Sequence, residues 1–297
     1  MKKRILAILL CCVLFLLCGC KTEPVAEQKK YKRISFESEA LGDEIDRISD
    51  NAIVKIDANE SIPNHMPIYK ITEHKISENE FQQMLDNLGI STTSYPDGDY
   101  ELDGNHIYVS LADATDFSRG YFDMTDEEVE AAAWEVFNKI PFMEGEYECV
   151  GILNRYWLDD GTGVHTTRAG VGFYRLLDGV RVVSAQTCVL YFDGSGFVEA
   201  SLTLYDYENI NTMDIVTLDD AETRIKTPDD ITIGKNGNVN LIEVERVKLL
   251  LINQYSRGCT ILQPIYNFIG TATLEDGTQT EFSSKVIAIP EEMTYEE

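Results

Sequence analysis

Three Asp-Gly turns, each set between apolar runs, constrain the fold of this chain more than any other feature. They are Leu177-Asp178-Gly179-Val180, Phe192-Asp193-Gly194-Ser195-Gly196 and Leu274-Glu275-Asp276-Gly277. Asp-Gly accepts the positive φ of a tight hairpin, and the Val, Ile, Leu, Tyr and Phe on either side suit a pleated, half-buried surface. The runs at 147–157, 170–177, 180–192 and 197–205 therefore read as one antiparallel meander. Those at 243–254, 261–274 and 281–289 read as a second.

Helices are marked by their caps. Ser77-Glu78-Asn79-Glu80 and Thr125-Asp126-Glu127-Glu128 each place Glu three residues after a hydroxyl side chain, the pattern of a capping box. Phe81, Met84, Leu85 and Leu88 follow the first at helical spacing, and Gly89 ends that helix. Val129, Ala132, Ala133, Val136 and Phe137 follow the second, which stops near Ile140, before Pro141. Asp219-Asp220-Ala221-Glu222 starts a shorter helix ahead of the second meander. The pattern predicts an α+β protein of tandem small units, each a helix packed on a curled antiparallel sheet. The units are 45–115 (a small α/β unit), 125–212 (helix plus meander) and 217–290 (a second helix plus meander).

The N-terminus reads as an address. Lys2, Lys3 and Arg4 precede an apolar run from Ile5 to Leu17, the length of a signal-peptide core and shorter than a membrane span. Leu17-Cys18-Gly19-Cys20 resembles a bacterial lipobox, with Cys18 where Ala or Ser is usual. The prediction is a signal peptide over 1–19, lipid on Cys20, and a lipid-proximal linker over 20–44. That places the protein at the extracytoplasmic face of the cell membrane. The run Lys29-Lys30-Tyr31-Lys32-Arg33 is either a solvated linker or a contact for anionic envelope material. Cys149, Cys188 and Cys259 remain, an odd and sparse set that implies no disulfide framework.

Charge excludes further classes. With 25 Lys+Arg against 51 Asp+Glu, the net charge of −26 repels phosphate backbones, so nucleic acid is not an expected partner. No Walker loop or Gly-x-Gly-x-x-Gly supports a nucleotide. No His-Glu-x-x-His is present, and Gly194-Ser195-Gly196 reads as a hairpin turn and not as a nucleophile elbow. Cys188 with His165 is a conceivable nucleophile–base pair, but the flanks of Cys188 read as buried. Catalytic residues, resident metals and cofactors are therefore not predicted. Asp97, Asp99, Glu101 and Asp103 alternate like a calcium loop, yet Leu102 stands where an EF-hand loop needs Gly, and a polar hairpin tip fits equally.

The stretch Gly172-Phe173-Tyr174-Arg175-Leu176-Leu177-Asp178-Gly179-Val180-Arg181-Val182, with Val189 to Val198, resembles PepSY-type and thermolysin-propeptide-like domains. Leu262-Gln263-Pro264-Ile265-Tyr266-Asn267-Phe268, followed by Asp276-Gly277, resembles the last strands of YycH/YycI-type regulators of Gram-positive bacteria. The resemblance spans about 125–290. It implies a cystatin-like α+β fold and a non-enzymatic, extracytoplasmic role exerted on a sensor kinase through protein contacts. Such regulators keep a transmembrane helix, for which this chain has a lipobox.

Binding candidates are aromatic. Tyr156, Trp157, Tyr174, Tyr205 and Tyr207 lie on or beside predicted strands, where alternate residues face one way. They either pack between sheet and helix or form an exposed stripe that grips a peptide or glycan. The expected function is a lipid-anchored, non-catalytic binding protein that regulates an envelope sensor kinase or protease. The alternative is a solute- or glycan-binding lipoprotein serving a transporter.

Overall fold

The computed structural model describes residues 30–32, 47–57, 62–91, 98–111, 122–159, 161, 163–183, 187–253 and 260–295. The expected signal peptide over 1–19, the lipidated Cys20, nearly all of the 20–44 linker, Asp97 and Cys259 lie outside the described residues. In chain order the elements are β1 (Tyr31–Lys32), β2 (Ile48–Ile56), β3 (His65–Glu73), α1 (Glu78–Asn87), β4 (Asp99–Asp103), β5 (His106–Ser110) and α2 (Asp126–Phe137). There follow β6 (Glu146–Asp159), β7 (Val164–Leu177), β8 (Val180–Val183), β9 (Thr187–Asp193), β10 (Gly196–Thr203), β11 (Tyr205–Asp214) and α3 (Leu218–Glu222). The chain continues through β12 (Asp230–Ile233), β13 (Val239–Ile252), β14 (Ile261–Leu274), β15 (Gln279–Ile287) and β16 (Thr294–Tyr295).

Local chemistry explains the ends of these elements. Ser77 and Thr125 cap α1 and α2, each closing a reciprocal box with Glu80 or Glu128. At the β7–β8 turn Asp178 (φ +49) and Gly179 (φ +76) both adopt the left-handed backbone that a two-residue hairpin of this twist requires. The predicted run 180–192 is in fact two strands, β8 and β9, which pair with successive stretches of β7 and differ in their other neighbour, β13 for β8 and β10 for β9.

Fourteen strands join in one mixed sheet. β13 pairs antiparallel with β14 and parallel with both β2 and β8. β14 continues to β15 and, through Ile261 and Leu262, to β3, beyond which lies β11. On the other side β7 pairs with β6, β8 and β9, and the order runs on through β10, β5 and β4. The short β8 is the seam: Arg181 sits opposite Leu176 of β7 and Leu250 of β13.

The expected α+β arrangement of tandem helix-on-antiparallel-sheet units is thereby overturned. The chain is mainly one large mixed sheet, with helices as minor additions. The physical cause is visible in two places. α3 has five residues and buries Ala221, too little to cover a sheet face. The strands β2 and β3 instead fold onto the C-terminal region, where Ile48, Ala52, Met66 and Ile71 share a core with Val239, Ile242, Tyr266 and Phe268. The 45–115 stretch is thus shared: α1, β4 and β5 pack with α2. In that second cluster Val129, Ala133 and Phe137 meet Ala169, Val171 and Phe173, with the Phe137 and Phe173 rings stacked at 4.5 Å. Burying a side chain as large as Phe173 contributes about 1.5–3 kcal/mol.

Candidate functional site

Two surfaces concentrate the predicted residues. The first is the sheet face opposite α2. Alternation along β7 sends Ala169, Val171 and Phe173 into the α2 core, so Arg168 and Gly172 face the other way. A Cβ at Gly172 would collide with Leu153, so glycine there lets Leu153 of β6 lie across β7. Arg168 is 8% exposed and ion-paired with Glu199, also 8% exposed. The Arg168 guanidinium lies 4.4 Å from the Tyr191 ring centre and 5.7 Å from that of Tyr156. Tyr108 donates to Glu199 at 3.0 Å, and burial followed by the Glu199 charge raises the Tyr108 phenol above its ordinary range. Tyr156 and Trp157 remain 48% and 60% exposed.

The second surface is a cleft of about 350 Å³ where β11 and β3 approach the end of β7 and the loop after α2. Tyr205 and Tyr207, two apart on β11, share its wall, and Tyr147 at the start of β6 stands among them. Leu177 and Leu204 are buried beneath. Tyr69 closes one side, its hydroxyl donating to the Asp178 carboxylate of the Asp-Gly turn. Burial raises the phenols of Tyr69 and Tyr207 well above the ordinary tyrosine range, helped at Tyr69 by Asp178. Arg175 donates from Nη1 to the Glu144 carbonyl and rests 5.2 Å from the Tyr147 ring centre. It crosses Gly145 (φ +96), where any Cβ would overlap the guanidinium. No carboxylate among the described residues pairs with Arg175. His74 Nδ1 lies 2.8 Å from Asp206 Oδ1, leaving a buried Nε2 without a partner among the described residues.

The five predicted aromatics thus divide. Tyr205 and Tyr207 line the cleft, whereas Tyr156 and Trp157 belong to the β6–β7 hairpin. Tyr174 is half-buried under Arg181, which is itself held by Glu148. Asp99, Glu101 and Asp103 are exposed at alternate positions of β4. Alternate positions on a strand stand about 6.6 Å apart in a row, so these carboxylates do not converge on one cation. Among the described residues no group of three His, Cys, Asp or Glu is placed to hold a metal ion. Cys188 pairs with Phe173 and His165 with Leu158, which separates them by about 26 Å along β7. Burial also raises the Cys188 thiol far above the ordinary range.

Sequence reasoning missed Arg168, Glu199 and Arg175. The signal was present for the first two: a lone cation in Thr167-Arg168-Ala169-Gly170-Val171 and a lone acid in Val198-Glu199-Ala200 each interrupt a buried run, and buried charges need partners. No protein-family model matches this chain, and a comparison with curated proteins finds no match.

Proposed function

We propose that this chain is a lipid-anchored, extracytoplasmic, non-catalytic binding protein, held at the membrane through Cys20, that regulates an envelope sensor kinase or protease by direct contact. The observation that carries this reading is the placement of exposed apolar side chains. Among the described residues five large hydrophobics are exposed, and four of them, Leu153, Tyr156, Trp157 and Val164, belong to the β6–β7 hairpin. A scattered exposed side chain needs no explanation, but a concentration of them, two aromatic, marks a contact surface.

The experiment is photo-cross-linking in cells, with the reactive side chain at Trp157 and, as a control, at exposed Glu208 on β11. A single envelope kinase or protease captured from position 157 and not from 208 supports the reading. Equal capture from both positions, or none, refutes it. The anchor is tested separately: C20A moves the protein from the membrane fraction to the soluble fraction if Cys20 carries the lipid.

A further inference from the structure

The cleft has features that the β6–β7 contact surface does not use, and they point to a small molecule. Its volume of about 350 Å³ falls at the low end of small-molecule sites, room for one or two rings. Tyr69, Tyr205 and Tyr207 line its walls, and the negative quadrupole of a tyrosine face suits the electron-poor C–H face of a sugar ring. Between them stand planar polar groups of both kinds. Among the described residues Arg175 donates only from Nη1, which leaves Nη2 and Nε as donors, while the Glu144 and Asp206 carboxylates accept.

Charge decides which ligand fits. Glu80, Glu144 and Asp206 line the same cleft, so a phosphate or dicarboxylate meets three like charges. A cationic ligand is drawn by those carboxylates, but the Arg175 guanidinium already holds the cation position over the Tyr147 face and repels a second charge there. A neutral polyol meets neither penalty, and its hydroxyls accept from Arg175 and donate to the carboxylates. We propose that the cleft between β11, β7 and the loop after α2 binds a neutral saccharide of one or two rings, stacked on tyrosine and hydrogen-bonded to Arg175.

The same chemistry is offered by a free sugar and by the end of an envelope glycan, and the test separates them. The full chain, in a detergent without a sugar headgroup, is titrated by saturation-transfer NMR with glucose, maltose, cellobiose, N-acetylglucosamine and its β-1,4 dimer. It is separately mixed with isolated cell-wall polysaccharide. Saturable binding of a free sugar assigns a solute site, and binding of the polysaccharide alone assigns a glycan site. In both cases R175M weakens binding by about tenfold or more, the scale of a lost charged hydrogen bond. Y205A, at a half-exposed position, reads the stacking if R175M fails to fold. The proposal is overturned if no probe binds, if neither variant weakens binding, or if glucose 6-phosphate binds more tightly than glucose.

Discussion

Replacing Arg168 by Met removes the cation from the sheet face opposite α2 and leaves its partner stranded. Arg168 and Glu199 side chains are 9% and 11% exposed, so solvent screens this pair little. Breaking a pair at this depth costs about 3–5 kcal/mol, because the remaining charge is left uncompensated. Two features place R168M near the low end of that range. Glu199 keeps the hydrogen bond from Tyr108, and Met retains the contact of an unbranched stem with the Tyr191 ring. At about 2–4 °C per kcal/mol, a loss of about 3 kcal/mol lowers the melting temperature by roughly 10 °C. The exposed pair Arg155–Asp126 is the internal comparison: its side chains are 30% and 68% exposed, and R155M costs at most about 1 kcal/mol. One further readout isolates the mechanism. R168M/E199M recovers most of the loss, since an apolar pair of similar volume replaces a buried ion pair at little cost. Thermal melts of the four proteins check all of this. Equal losses in R168M and R155M, or a double variant no better than R168M, refute the reasoning.

G145A forces a positive-φ position onto a residue with a Cβ and pushes Arg175 off Tyr147; the expected cost is about 1–3 kcal/mol, read by thermal melting. Hydrogen bonds from the Ser77 side chain and backbone hold the Glu80 carboxyl below its ordinary value of 4.5. Those from the Thr125 backbone and side chain do the same for Glu128. A depressed folded value means that this stabilisation is complete above about pH 4.5 and is lost as pH falls through the folded value. E80Q/E128Q therefore melts below wild type at pH 7, and the two curves converge in acid; a constant offset down to pH 3, roughly, counts against the caps. Cys188, with its thiol raised by burial, reacts with an alkylating reagent only at the rate of unfolding. Half-buried Cys149 reacts first, and fast labelling of Cys188 in the native protein contradicts the packing of β9 against α2.

What the sequence made legible was local. Ser77 with Glu80, Thr125 with Glu128, and Asp178 with Gly179 each fix their geometry within four residues, and each is found where the pattern places it. The assembly was not legible because it depends on partners far along the chain. Lys55 of β2 reaches Glu243 of β13 across 188 positions, and nothing near either residue announces a parallel pairing. Hairpin signals bias a reader toward antiparallel neighbours, so the second meander was expected to stand alone under a helix. The cleft follows the same rule. Tyr205 and Tyr207 were readable as one strand face, but Arg175, Tyr147 and Tyr69 come from three other strands, and the fold alone brings them together.

The form of β6 decides how a partner can be held. Among the described residues this 14-residue strand pairs with β7 alone, so its outer edge offers backbone groups for strand addition. Strand addition requires an even ladder, and β6 does not supply one. Its register with β7 shifts between Cys149 and Ile152, between Ile152 and Asn154, and between Tyr156 and Trp157. Gly151, at φ +75, sits in the first of these irregularities. Each bulge re-aims the backbone donors and acceptors and bends the edge, the common protection of a natural sheet edge against a foreign strand. The same bulges project side chains. Leu153 lies next to the second shift, and Tyr156 and Trp157 flank the third. Backbone pairing is suppressed where apolar side chains are most exposed, so recognition at this hairpin rests on side chains, with Tyr156 and Trp157 as its anchors.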